Sequence, residues 1–230
     1  MRSFDELIQT QDPAWPLIQE WLTKAVNSVE VLPRTLEKAK EELVKTQVTI
    51  RSFMGAVVYE TGGILIDDGW LRILGSGSAK LPRGLGSWNL SRTQSESAGP
   101  APYYLFADDV AGGYFAINGG GLNGKVGNVF YLPPDTLEWE DCGKGYGDFL
   151  NWALTGDLQL FYENLRWENW REEIHDLNGD SVYTFFPFLW TEEGSDINQV
   201  SRKRIPIAEH YASTLNLQKI GRASCRERVC

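Results

Sequence analysis

The chain has 230 residues, 42% of them hydrophobic, and a formal net charge of -9, which is length enough for one core with a helical annex. Acidity of this order speaks against a general nucleic-acid binder, because a phosphate backbone rewards clustered Lys and Arg. No stretch approaches the ~20 apolar residues of a membrane span, and the start from Met1 to Glu6 lacks the apolar segment of a secretion signal, so a cytoplasmic protein is expected.

The last residues, Ile220-Gly221-Arg222-Ala223-Ser224-Cys225-Arg226-Glu227-Arg228-Val229-Cys230, resemble a sequencing adapter translated in frame. They are expected to be no part of the evolved protein, which leaves residues 1–219 as a single α+β domain. Two of the three cysteines go with that tail. Cys142 then has no disulfide partner, as suits a reducing compartment, and is expected to be a small buried hydrophobe rather than a nucleophile.

In chain order, residues 1–46 read as helical, 55–140 as a sheet and 146–219 as helical and aromatic. Ser3 and Glu6 have capping-box spacing, and Asp12 with Pro13 gives the start signal of a second helix. Trp15, Ile18, Leu22, Ala25, Val26 and Val29 recur at helical spacing along it. A third helix is predicted from Thr35 to about Lys45, with Leu36, Ala39 and Leu43 inward and Lys38, Lys40, Glu41 and Glu42 in water. Ala56–Glu60, Ile64–Asp67 and Trp70–Leu74 read as strands joined by Thr61-Gly62-Gly63 and Asp68-Gly69 turns. Residues 75–100 are rich in Ser, Gly and Pro and predict a long irregular connection.

Three more strands are expected at Tyr103–Ala107, Tyr114–Asn118 and Asn128–Leu132, and a short edge strand at Leu137–Glu140. Phe149, Leu150, Ala153 and Leu154, then Leu158, Phe161, Tyr162 and Leu165, return to helical period. Val182–Trp190, which contains Pro187, reads as an edge strand. Helices before and after a largely antiparallel sheet of about six strands make the expected class α+β.

No motif carries chemistry outright. The run from Asn118 to Gly124 resembles a phosphate cradle in composition, but a strand follows it instead of a helix, so it reads as a hairpin tip. His175 and His210 stand alone, without metal-ligand spacing, and no metal or cofactor is expected. No Gly-x-Ser-x-Gly elbow is present. Among the paired carboxylates, Asp108 and Asp109 follow an apolar strand and precede a glycine turn, the placement of an acid–base pair or of an Asx turn. Nine tryptophans are many for this length. Trp139, Trp167 and Trp170, with Glu138 and Glu140, are therefore candidates for an acidic and aromatic binding surface.

Read together, Gly63–Gly77, Phe106–Asn118 and Phe130–Trp139 resemble a bacterial family known only as domain of unknown function 2625, over residues 1–219. The family implies no activity. More weakly, Ala107-Asp108-Asp109-Val110-Ala111-Gly112-Gly113-Tyr114-Phe115, the strand near Val129-Phe130-Tyr131 and the helix start Tyr146-Gly147-Asp148-Phe149-Leu150 are similar to the SUKH superfamily over about residues 103–155. That resemblance implies an immunity-type protein that binds a toxin, and no catalytic residue transfers with it. The expected function is non-catalytic binding of a basic protein such as a toxin. The alternatives are a small-molecule hydrolase or lyase using Asp108 or Asp109, and a small-ligand-binding regulatory module.

Overall fold

The computed structural model describes residues 1–90, 92 and 101–227, with side chains as far as residue 219. Seven strands form one antiparallel sheet in chain order: β1 (Val29–Leu32), β2 (Gly63–Ile66), β3 (Leu71–Leu74), β4 (Tyr103–Asp109), β5 (Tyr114–Asn118), β6 (Val129–Leu132) and β7 (Glu140–Asp141). Two further strands, β8 (Ser181–Phe186) and β9 (Ser201–Pro206), pair antiparallel as a separate ribbon. Around them lie helices α1 (Phe4–Ile8), α2 (Trp15–Thr23), α3 (Leu36–Thr46), α4 (Phe53–Glu60), α5 (Leu85–Leu90), α6 (Tyr146–Thr155), α7 (Leu158–Phe161), α8 (Trp170–Ile174) and α9 (Ile207–Glu227). The class is α+β, as the pattern of elements predicts.

Local chemistry explains the meander. Between β2 and β3, Asp67, Asp68 and Gly69 all take positive φ (53°, 57° and 87°), a conformation that short polar residues and glycine tolerate best. The Asn118–Gly124 run is indeed a hairpin tip: the Asn118 side chain accepts from the Gly120 and Leu122 amides and donates to the Leu122 and Gly124 carbonyls. It thereby replaces ladder bonds the turn cannot make. A register shift between Leu105 and Ala107 bulges β4 against β5, just before the Asp108–Asp109 pair. One contiguous set of buried residues runs from Leu7 through the sheet to Tyr211.

Four expectations need correction. The Ala56–Glu60 run is helix α4, not a strand: Ser52 caps it through the Gly55 amide, and Ala56, Val57 and Val58 are all buried, so the β-branched run marks a helix enclosed by the core. The second helix stops at Thr23, and Val29 opens β1, which pairs with β2; tertiary pairing overrides the helical spacing of Val26 and Val29. In α3, Leu36 is exposed and Glu42 is buried, its carboxylate accepting from the Ser87 amide and hydroxyl and from Lys45. Finally, Trp167 and Trp170, candidates for a binding surface, are both buried, and only Trp170 lies in α8.

The 75–100 connection contains α5, and its residues 91 and 93–100 lie outside the described residues. The expected edge strand at Leu137–Glu140 is displaced to Glu140–Asp141, and β9 has no counterpart among the predicted strands. Cys142 is half-buried, and burial pushes its thiol up to about 11, so it is not a thiolate at neutral pH.

Candidate functional site

The Asp108–Asp109 pair sits at the end of β4, where the two side chains point to opposite faces. Asp108 accepts from Arg72 Nε at 2.6 Å and from Arg83 Nη1 at 2.7 Å, all within the protein interior. Arg72 also donates to the Ser181 carbonyl at 2.7 Å, and Arg83 to the Gly179 carbonyl at 2.8 Å and to Asp180 at 3.0 Å. This network therefore ties the sheet to the start of β8. Asp109 is fully buried: its Oδ1 accepts from the Ala111 and Gly113 amides and its Oδ2 from the Tyr131 hydroxyl at 2.7 Å. Burial raises its carboxyl to about 6 against those donors. All four carboxylate oxygens are occupied by protein groups, and neither carboxylate is open to a substrate.

Of the tryptophans proposed for a surface, Trp167 and Trp170 are interior. Trp70 is packed edge-on against Trp170 at 4.8 Å and lies 5.5 Å from both Trp167 and Tyr162. Arg166, paired with Asp67, covers Trp170 at 4.6 Å. Aromatic rings and guanidinium faces stack favourably in such a site, which accounts for these residues as core.

Glu138 and Glu140 are exposed, and Trp139 is half-buried against Tyr103 at 5.2 Å. Glu138 and Trp139 belong to the β6–β7 connection and Glu140 opens β7; the connection is held to α9 by the Gln218 amide donating to the Leu137 carbonyl at 2.6 Å. Beside this connection opens a groove of about 260 Å³, lined by Pro134, Leu137, Phe185, Leu189, Ile205 and Leu217 among others. Its lip is aromatic: Phe188 and Trp190 stack at 4.3 Å, both 36% exposed, and Phe186, 6.4 Å from Phe188, is 70% exposed. Exposed aromatic groups so grouped are unusual on a protein that does not use them.

Exposed carboxylates lie close in sequence to the lining residues: Glu138 follows Leu137, Glu192 and Glu193 come after Trp190 and Thr191, and Glu209 precedes His210, and none of the four is in an ion pair among the described residues. Cations come from β9, where Arg202 stands opposite Phe185 and Lys203 opposite Thr184 in the β8–β9 register, and Arg202 is paired with Glu173. His210 also lines the groove. Its Nδ1 is 2.8 Å from the Tyr114 hydroxyl, and burial lowers the imidazole to about 4, so it is neutral at cellular pH. The ring rests on Gly112, where an added Cβ would stand 2.4 Å from Cε1.

Two other hollows carry charged side chains in their lining. The wider, about 870 Å³, is lined by Glu30, Asp68, Lys80, Arg171 and His175, but Lys80 pairs with Glu30 and Arg171 with Asp68. The second, about 490 Å³, lies between α3 and α5 and is lined by Lys45, Glu42 and Arg83, which are likewise paired. Among the described residues, no group of three or more His, Cys, Asp or Glu is placed to hold a metal ion. No described helix is long and apolar enough to cross a membrane.

Sequence reasoning missed Arg72, Arg83 and the aromatic lip. Arg72 could have been found as the single charge in the apolar run from Trp70 to Leu74, a position that demands a buried counter-charge. The lip could have been found in the crowding of Phe186, Phe188 and Trp190 around Pro187, where a proline ends the strand and leaves its aromatic neighbours outside the ladder.

The profile described as "Protein of unknown function DUF2625" matches residues 4–210. The chain is 49% identical over 192 residues to "Putative uncharacterized protein YbfG" of Escherichia coli strain K12, covering 84% of this chain and 87% of that protein. It is 43% identical over 211 residues to an uncharacterized protein of Haemophilus influenzae, covering 92% of each. No solved structure is significantly similar to it. The chain belongs to the DUF2625 family.

Proposed function

We propose that this protein is a non-catalytic binding module that docks a basic protein partner over the groove between the β6–β7 connection, the β8–β9 ribbon and α9. The observation that carries the reading is the exposed, stacked Phe188 and Trp190 pair on an apolar groove, with the exposed Phe186 beside it. Net charge of -9 steers a basic partner toward this face, and burial of the aromatic rings supplies the anchoring area. An immunity-like protein that neutralises a basic toxin, as the SUKH resemblance implies, is one form of this reading. The hydrolase or lyase reading has less support, because both Asp108 and Asp109 are enclosed and fully hydrogen-bonded.

The test is a comparison of captured proteins between the wild type and the Phe186→Ser/Trp190→Ser variant, at low and at moderate salt. A basic protein held by the wild type, lost from the variant and weakened by salt supports the reading. Capture that is equal for both forms sinks it.

A further inference from the structure

The groove has one feature that an apolar docking surface does not require. Its lining is mostly aliphatic and aromatic, with Thr184, Ser213 and Thr214 among it, and His210 contributes a neutral imidazole. Both hydrogen bonds of that ring, to Tyr114 and to Thr214, are made by Nδ1, and Nε2 has no hydrogen-bond partner among the described residues. A ring nitrogen without a protein partner favours a ligand that supplies one. The recess is also small: about 260 Å³ falls below the ~300–1,000 Å³ of ordinary small-molecule sites. It is large enough for one aromatic side chain and no more.

We infer that the groove receives a single tyrosine side chain of the partner, its ring among Phe185, Leu189, Ile205 and Leu217 and its hydroxyl hydrogen-bonded to His210 Nε2. This inference rests on the proposed docking reading and names the residue that anchors it. A phenol suits the site whichever imidazole nitrogen carries the proton. If the Tyr114 hydroxyl donates to Nδ1, then Nε2–H donates to the incoming oxygen; if it accepts from Nδ1–H, then Nε2 accepts from the incoming hydroxyl. Phenylalanine would leave Nε2 unsatisfied. A lysine or arginine head would bring a charge into a recess with no anion in its lining. The basic residues of the partner instead meet Glu138, Glu192 and Glu193 at the border, while the tyrosine fills the centre, the usual division between rim and anchor.

The experiment titrates N-acetyltyrosinamide and N-acetylphenylalaninamide into the full chain labelled with ¹⁵N-histidine. The expected result is a preference for the tyrosine amide of about fivefold, the worth of one net hydrogen bond, with the His210 Nε2 resonance shifted by it alone. In His210→Phe the preference should fall to about one. Should that variant fail to fold, the wild-type comparison and the Nε2 resonance decide by themselves. Equal binding of the two amides, or an unmoved His210 signal, overturns the inference while leaving salt-sensitive, lip-dependent protein capture intact. Conversely, a tyrosine preference together with lip-independent capture removes the docking reading and keeps the recess as a phenol site.

Discussion

Asp108→Asn is the substitution that most sharply separates a structural from a catalytic carboxylate. In the folded protein Asp108 neutralises two guanidinium groups, with Arg72 2% and Arg83 8% exposed. Asparagine keeps the shape but removes the charge and turns one acceptor into a donor that faces an arginine. Breaking a buried ion pair from one side costs about 3–5 kcal/mol, and Asp180, which is half-exposed, offsets little of it for Arg83. For a chain of this length that loss corresponds to a fall in Tm of about 6–20 °C. Urea and thermal unfolding followed by tryptophan fluorescence measure it directly, because Trp70, Trp167 and Trp170 all lie in the core. A drop below about 1 kcal/mol with cooperative unfolding would refute the reasoning and reopen Asp108 as a functional group.

The remaining predictions concern pH, the His210 seat and the lip. Asp109, raised to about 6 from 3.8, disfavours folding above pH 6 and ceases to do so near pH 4, while His210, lowered to about 4 from 6.5, costs stability as pH falls through the same window. Each is worth about 3 kcal/mol at most, and they oppose each other. Relative to the wild type, Asp109→Asn should therefore lose stability more steeply on acidification and His210→Gln should gain it; unfolding free energies at pH 4 to 7 decide, and parallel curves would contradict both shifts. Gly112→Ala should displace His210 and lower stability by about 2 kcal/mol, since φ is 90° there and the Cβ would strike the imidazole; an unchanged His210 resonance would count against that packing. Phe186→Ser should change stability by less than about 0.5 kcal/mol while weakening partner capture, and a large Tm shift would show the ring to be part of the core.

The sequence made the meander legible because its turns announce themselves: Asp67-Asp68-Gly69, the glycines after Asp109, and the Asn118–Gly124 tip each need residues that tolerate unusual backbone. It misled at Ala56–Glu60, where a β-branched run is as suited to a helix enclosed on every side as to a strand. It misled again at Val29, where pairing with Ile66 decides the conformation. Strand β9 was hidden because Ser201-Arg202-Lys203-Arg204 is polar on both faces; only its partner β8 makes it a strand. For the site, the abundance of tryptophan suggests a surface, and the structure buries two of the rings it singles out. Trp167 and Trp170 are near Trp70 only in three dimensions, and that contact removes them from the surface. Leu137 lines the groove and Glu138 is exposed next to it in the chain, while the exposed Phe186, Phe188 and Trp190 come from a segment that reads only as a strand.

The most direct test of the docking face is site-specific photo-crosslinking in Escherichia coli cells. A benzophenone side chain is placed at Phe186, and in a control at Val26, which is 73% exposed and follows α2, an element outside the groove. A discrete crosslinked product with a basic protein at position 186, absent at position 26, is the predicted result. No product at 186, or the same products at both positions, would contradict the assignment of this face.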